Sequence, residues 1–215
     1  MEEIHLLGMS LDAVTIIFDI IKENKKTVLF KLYPNIDTVI KPYMPILSSD
    51  YEIMPLRTTP DNSNRVFFAT PGPKNKELIF NSFHQHHGIN RDRFHQIIHS
   101  SAYVANSCNI EEGVLIEPHA VISSQSNIGF GVFIKRGSLI GHHNIIGDYT
   151  DINPGVTISG NVTIGKKCVI GSGAVIKDKI TIGDNSIIGA GSVVTKNIPA
   201  NCIAYGNPCR VVKEN

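Results

Sequence analysis

The chain has 215 residues, 42% hydrophobic and 18% charged, and its 20 Lys and Arg against 19 Asp and Glu leave a formal net charge of +1. That balance describes a globular chain of one large or two small domains and excludes tails, coiled coils and disordered segments as its main content. The basic residues are scattered, so the electrostatic footprint that nucleic acid or an anionic membrane requires is missing. Cys108, Cys168, Cys202 and Cys209 lack both CxxC spacing and the density of a disulfide scaffold, and read as reduced thiols. Met1-Glu2-Glu3 lacks the basic start of a signal peptide, and the longest apolar stretch, Val14 to Ile21, is short and broken by Asp19. A cytoplasmic location is expected.

In chain order, Ile4 to Leu7 predicts a strand ending at Gly8. Leu11, Val14, Ile17, Phe18 and Ile21 recur at helical spacing, and Thr27 to Phe30 predicts a second strand. Val66 to Ala69 predicts another strand, Thr70-Pro71-Gly72-Pro73 a turn, and Lys74 to His87 a helix before a linker around Gly88. This β-α-β opening marks residues 1–92 as a small Rossmann-like α/β domain, followed by a linker over 93–103.

From Val104 the pattern changes to a period of six. Val104, Ile110, Ile116, Ile122, Ile128, Ile134, Ile140, Ile146, Ile152, Ile158, Ile164, Ile170, Ile176, Ile182, Ile188 and Val194 are all β-branched. The fifth residue of each hexad is mostly small or apolar, as at Cys108, Val114, Ala120, Val132, Val156, Val162, Cys168, Ala174 and Ile180, and turn formers fill the rest. Short strands joined by tight corners in a parallel β-helix over 104–199 satisfy this pattern, with 200–215 a C-terminal extension. A repeat core of this kind also explains the absence of Trp and an aromatic content of only 7%.

The repeat resembles that of the hexapeptide-repeat acyltransferases, with Ile128-Gly129, Ile140-Gly141, Ile146-Gly147, Ile164-Gly165, Ile170-Gly171, Ile182-Gly183 and Ile188-Gly189 in the family's aliphatic-glycine positions. The two-part layout is similar to the sialic-acid O-acetyltransferases and UDP-4-amino-sugar N-acetyltransferases of that family. Phe94-His95-Gln96-Ile97-Ile98-His99, Ser159-Gly160-Asn161-Val162-Thr163-Ile164-Gly165 and Ala204-Tyr205-Gly206-Asn207-Pro208-Cys209-Arg210-Val211 carry the likeness. The most specific stretch is Ile140-Gly141-His142-His143-Asn144-Ile145-Ile146-Gly147-Asp148, which matches the segment bearing the family's catalytic base. The resemblance implies a left-handed β-helix with three hexads per coil, a homotrimer, acetyl-CoA as acyl donor, and N-acetylation of a nucleotide-linked amino sugar in surface glycan biosynthesis. O-acetylation of a sialic-acid-like sugar and a non-catalytic trimeric scaffold are the alternatives.

Residues one coil apart stack, which places His142 in the column Asn106, Ser124, His142, Gly160, Asp178, Lys196. Attack of an amine on a thioester needs a base near neutral pH, and His142 suits that task. The resemblance implies a carboxylate after the catalytic histidine, but His143 stands there, which leaves His143, Asp148 and Asp151 as candidates to orient the base. Asp151 also replaces a histidine that in relatives meets the thioester end of acetyl-CoA. Gly137, Gly155, Gly173 and Gly191 form a second column beside Arg136, Pro154, Ser172 and Ala190. That column reads either as a trough with exposed amides for pantetheine or as corners that need φ > 0. Asp151, Gly155, Gly160, Ser172, Gly173 and Ala190 are thus the expected cofactor-binding residues, and Gly160 N–H is a candidate oxyanion donor.

In the first domain, relatives receive nucleotide phosphate at a glycine-rich strand-to-helix turn. Here Gly8 is followed by Met9-Ser10-Leu11-Asp12-Ala13, and Gly8, Ser10, Thr70 and Gly72 are the expected substrate-binding residues. His84, His86, His87, His95 and His99 crowd the junction without a recurring ligand spacing, so no metal is expected. The γ-type carbonic anhydrases share a related β-helix with zinc histidines, a spacing that His119, His142 and His143 do not reproduce.

Overall fold

The computed structural model describes residues 2–24, 27–34, 51–61 and 64–215, which fall into two units. The first comprises residues up to Pro71 and Asn75–Ile97, the second Gly72–Lys74 and Ile98–Asn215.

In the first unit, β1 (Glu2–Leu7), α1 (Leu11–Asn24), β2 (Val28–Tyr33), β3 (Tyr51–Ile53), β4 (Arg65–Phe68) and α2 (Pro73–His87) follow one another. The strands form a parallel sheet in the order β3-β2-β1-β4. Leu6, Ile17, Phe30 and Leu32 are fully buried, and Phe18 of α1 stacks on Phe30 with ring centroids 3.7 Å apart. The helical spacing read from Val14 to Ile21 is therefore the buried face of α1. The sequence pattern did not announce β3, because Glu52 and Ile53 are exposed and its three residues carry no apolar alternation. A polar network crosses β1 and β2: Lys31 Nζ donates to Glu3 Oε2 at 2.8 Å, and Tyr33 Oη lies 3.0 Å from His5 Nδ1. The Lys31 hydrogen bond holds the Glu3 carboxyl below its usual range, burial pushes His5 down, and burial pushes the Tyr33 phenol up to about 12. His5 is thereby kept neutral within the core.

The second unit is a parallel β-helix whose coils each present two-residue strands to three sheets. Leu139–Ile140 pairs with Val121–Ile122 and Thr157–Ile158 on one face, Ile145–Ile146 with Asn127–Ile128 and Thr163–Ile164 on the next, and Asp151–Ile152 with Phe133–Ile134 and Val169–Ile170 on the third. The second residue of each strand points inward, and from Ile116 to Val194 these residues are 0 to 2% exposed. The first residues point outward, and on the face containing Leu139 they are largely apolar: Tyr103, Val121, Leu139, Val175 and Val193 around Thr157. Cys202–Tyr205 extends the third sheet beside Ile187–Ile188, and Arg210–Glu214 folds back on it antiparallel.

Corners repeat as regularly as strands. At the fourth residue of fourteen consecutive hexads, from Gly113 to Gly191, φ lies between 55° and 70°, the left-handed conformation that closes such a turn. The fifth residue points into the helix, and several of these are polar yet buried: Ser126, Ser138, Asn144, Thr150, Ser186 and Ser192. Their hydroxyls and amides bond to the backbone of adjacent coils, as in Ser138 Oγ to Asn153 O at 2.9 Å and Thr150 Oγ1 to Gly165 O at 2.9 Å. Cys168 fits the same slot, its Sγ 3.1 Å from Gly183 O, and burial pushes its thiol up to about 11.

Asn144 is the most connected of these residues. Its Nδ2 donates to Gly141 O at 2.9 Å and Ser159 O at 3.0 Å, and its Oδ1 accepts the Val162 N–H at 2.7 Å. Asn144→Ala removes three bonds to main-chain groups, of which the Val162 N–H is fully buried, and is expected to destabilise the helix by about 2–4 kcal/mol. Denaturant unfolding should show at least twice the loss caused by Ser138→Ala.

Candidate functional site

His142 occupies the corner between Leu139–Ile140 and Ile145–Ile146, and the coils on either side fix it. His143 N–H donates to Ser124 O at 2.9 Å, and Asn161 N–H donates to His142 O at 2.9 Å, so Ser124, His142 and Gly160 stack. The exposed imidazole lies across Gly160: a Cβ there would stand 2.6 Å from Cε1 and 2.7 Å from Nε2 of the ring. Gly160 lacks a left-handed φ; the ring, and not the backbone, demands a glycine.

The other contact of the ring is with His143. The two Nδ1 atoms are 3.0 Å apart with the ring planes at 88°, so one nitrogen donates its N–H to the other. With that proton on His142, the lone pair resides on Nε2, over Gly160. The two carboxylates expected as orienting groups lie elsewhere. Asp148 is at the following corner, where its Oδ1 accepts the Phe130 N–H at 3.3 Å. Asp151 points outward from the third sheet, is 4% exposed, and accepts the Gly72 N–H at 2.9 Å through Oδ2. Of the three candidates, His143 is the one that touches His142.

At the third position of the hexad the backbone N–H is taken by a side chain in other columns: Glu117 Oε2 accepts it from Arg136 at 3.1 Å and Asp184 Oδ1 from Lys166 at 2.8 Å. No described side chain takes that of Gly160.

The glycine column corrects one expectation. Gly137, Gly155, Gly173 and Gly191 have φ between 67° and 69°, and their N–H groups are already used: Gly155 donates to Arg136 O at 3.1 Å, Gly173 to Pro154 O at 3.0 Å and Gly191 to Ser172 O at 2.9 Å. The left-handed corner aims each amide along the helix axis into the preceding coil, so the column offers no amides to a ligand. Yet corner geometry alone does not select glycine, since Gln125, His143, Asn161 and Lys179 hold the same conformation in the His142 corner. A Cβ on Gly155, Gly173 or Gly191 would meet nothing within 4 Å. Together with the exposed Ser172 and Ala190 the column is a smooth, open surface.

In the first unit, Gly8 and Ser10 lie beside Thr70. Gly8 has φ 91°, a backbone conformation that favours glycine, and a Cβ there would in addition stand 2.6 Å from Ile79 Cδ1 and 3.3 Å from Thr70 Cβ. Gly8 N–H donates to Tyr33 O at 3.0 Å and Ser10 N–H to Ala69 O at 2.9 Å, so these two amides are already used within the fold. A cavity of about 580 Å³ opens elsewhere in this unit, among Pro34, Leu56, Arg57, Ser82, Phe83, His86 and His87. The helix histidines are tied locally: His84 and His86 donate from Nδ1 to Ile89 O and Ser82 O, and His87 Nδ1 pairs with Thr59 Oγ1 at 2.8 Å. Burial pushes the His87 imidazole down. Among the described residues no three His, Cys, Asp or Glu side chains converge as a metal site, and no helix is long and apolar enough to cross a membrane.

Residues 161–196 match the family model described as bacterial transferase hexapeptide, six repeats. A histidine-to-asparagine variant of perosamine N-acetyltransferase from Caulobacter crescentus, in complex with CoA and GDP-perosamine, is similar over 100% of this chain and 98% of its own, with 21% identity and a TM-score of 0.80. The fold is that of the hexapeptide-repeat transferases. The acetyltransferase domain of PglB from Neisseria gonorrhoeae, in complex with acetyl coenzyme A, shares it at 19% identity and a TM-score of 0.82, over 98% of this chain and 99% of that one. WeeI from Acinetobacter baumannii shares it at 23% identity and a TM-score of 0.80, over 99% and 100%. No curated protein matches the sequence.

Within this hexapeptide-repeat frame, Gly160→Ala forces the imidazole off its seat. Because the backbone there is ordinary and the clashing group is a side chain, the melting temperature should stay within a few degrees of wild type. A crystal structure of the variant should show His142 in another rotamer, no longer over residue 160.

Proposed function

We propose that this chain is an acetyl-CoA-dependent N-acetyltransferase that acts on the amino group of a nucleotide-linked sugar in surface glycan biosynthesis and works as a homotrimer. The observation that carries this reading is the exposed His142 imidazole with Nε2 over Gly160. The similar structures that hold CoA with GDP-perosamine, or acetyl coenzyme A, support the choice of donor and acceptor.

In this mechanism the sugar amine attacks the thioester carbonyl. A C–N bond forms, the amine proton passes to His142 Nε2, and Gly160 N–H stabilises the oxyanion. The C–S bond then breaks, and the proton returns from the imidazolium to the CoA thiolate. His143, at 3.0 Å, fixes the ring and holds the Nδ1 proton. Pantetheine would run along the bare column of Gly137, Gly155, Gly173 and Gly191, which accommodates a narrow chain by shape. The apolar face that runs from Tyr103 to Val193 lies between that column and the His142 corner, so a three-fold assembly covering this face would bring both corners to a boundary between copies. The nucleotide would be received by the first unit near Gly8, Ser10 and Thr70.

The test is acetyl transfer from acetyl-CoA to a panel of UDP-, dTDP- and GDP-linked amino sugars. His142→Ala should lower kcat by about 10²–10⁴-fold and leave acetyl-CoA affinity within a few fold; retention of half the wild-type kcat would remove His142 from the base role. Sedimentation at micromolar concentration should give a trimer, and a monomer would count against a cofactor path between copies.

A further inference from the structure

The column that carries His142 continues past Gly160 into Asp178. Lys179 N–H donates to Gly160 O at 3.1 Å, which puts the Asp178 corner directly after the Gly160 corner, as Asn161 N–H to His142 O puts Gly160 after His142. Gly160 contributes no side chain, and the imidazole fills its space. The next side-chain-bearing residue along the column is therefore Asp178, an exposed carboxylate. Coils are spaced by about 4.8 Å, the interstrand distance of a sheet. Nε2, over Gly160, thus stands roughly one such spacing from the Asp178 position. A single nitrogen that hydrogen-bonds both groups, at about 2.9 Å from each, spans that gap.

Resting on the reading of His142 as the base, we propose that Asp178 recognises the acceptor as an amine, holding its ammonium form between its own carboxylate and His142 Nε2. The surplus ammonium proton leaves to solvent through Nε2 before attack, so no covalent step is added. A hydroxyl acceptor carries no charge for Asp178 to hold and gains only a neutral hydrogen bond, which is the weaker interaction. The corner thereby favours N- over O-acetylation. The remaining charges nearby are cations: Lys177 and Lys179 flank Asp178 in sequence, and Lys196 follows it in the column. All three are exposed, and the three atoms nearest a Cβ on Gly160 all belong to the His142 ring.

The experiment is calorimetric titration of the full chain, saturated with CoA, with GDP-perosamine and with the same nucleotide sugar bearing a hydroxyl in place of the amine. Wild type should bind the amino sugar about ten-fold more tightly. Asp178→Asn should abolish that preference by weakening the amino sugar alone, with the hydroxyl sugar within two-fold, and Asp178→Glu should restore part of it. Equal affinity of wild type for the two sugars, a parallel loss of both in Asp178→Asn, or no binding of either overturns the assignment. CoA affinity, measured separately on wild type, reports on the acyl-donor reading by itself, so failure of one is distinguishable from failure of the other. Asp178 is exposed and outside the core, and an unchanged melting temperature verifies that each variant is folded.

Discussion

The register between coils governs the second unit. From Gly131 to Gly191 the fourth residue of every hexad donates its N–H to a carbonyl of the corner one coil before, so side chains far apart in sequence become neighbours in columns along the axis. His142 and Gly160 meet for this reason alone, Asp178 follows them in the column, and the four bare glycines align in the same way. Isoleucine columns inside the helix hold the register, because a slip of one residue would turn every inward side chain outward. The polar fifth residues add directional bonds that an aliphatic core lacks, and Asn144 places the densest of them immediately below the His142 corner.

Three glycines illustrate how one residue type answers different physical demands. Gly8 takes a positive φ of 91° at the end of β1. Gly160 seats an imidazole. Gly173 sits at a left-handed corner with open space where a side chain would point. Sequence identity alone does not separate these roles, since a conformational requirement, a steric requirement and a surface requirement all read as the letter G.

Much of the fold was legible because its period is strict. The hexads from Val104 to Val194, the first helix and the strands beginning at Ile4 and Val66 all follow from apolar spacing, and the stacking of Ser124, His142 and Gly160 followed from the coil length. What was not legible depends on the third dimension or on weak signals. β3 has no apolar pattern. The buried Ser126, Asn144 and Thr150 resemble turn residues until the inward direction of the fifth position is known. The separation of Asp148 and Asp151 from His142 follows from the face each corner occupies, and the engagement of the glycine amides follows from the direction a left-handed corner gives them.

A structure addressed by columns has consequences for how its length can vary. Deleting one hexad between His142 and Gly160 would leave every local six-residue motif intact, yet all later residues would rotate onto the next face, and the imidazole would lie over a different corner. Removing or adding a whole coil of three hexads preserves the faces and changes only height along the axis. Length changes in this helix are therefore quantised: descendants can shorten or lengthen by complete coils away from the His142 corner, whereas smaller changes must bulge out as loops at a corner to keep the columns in phase.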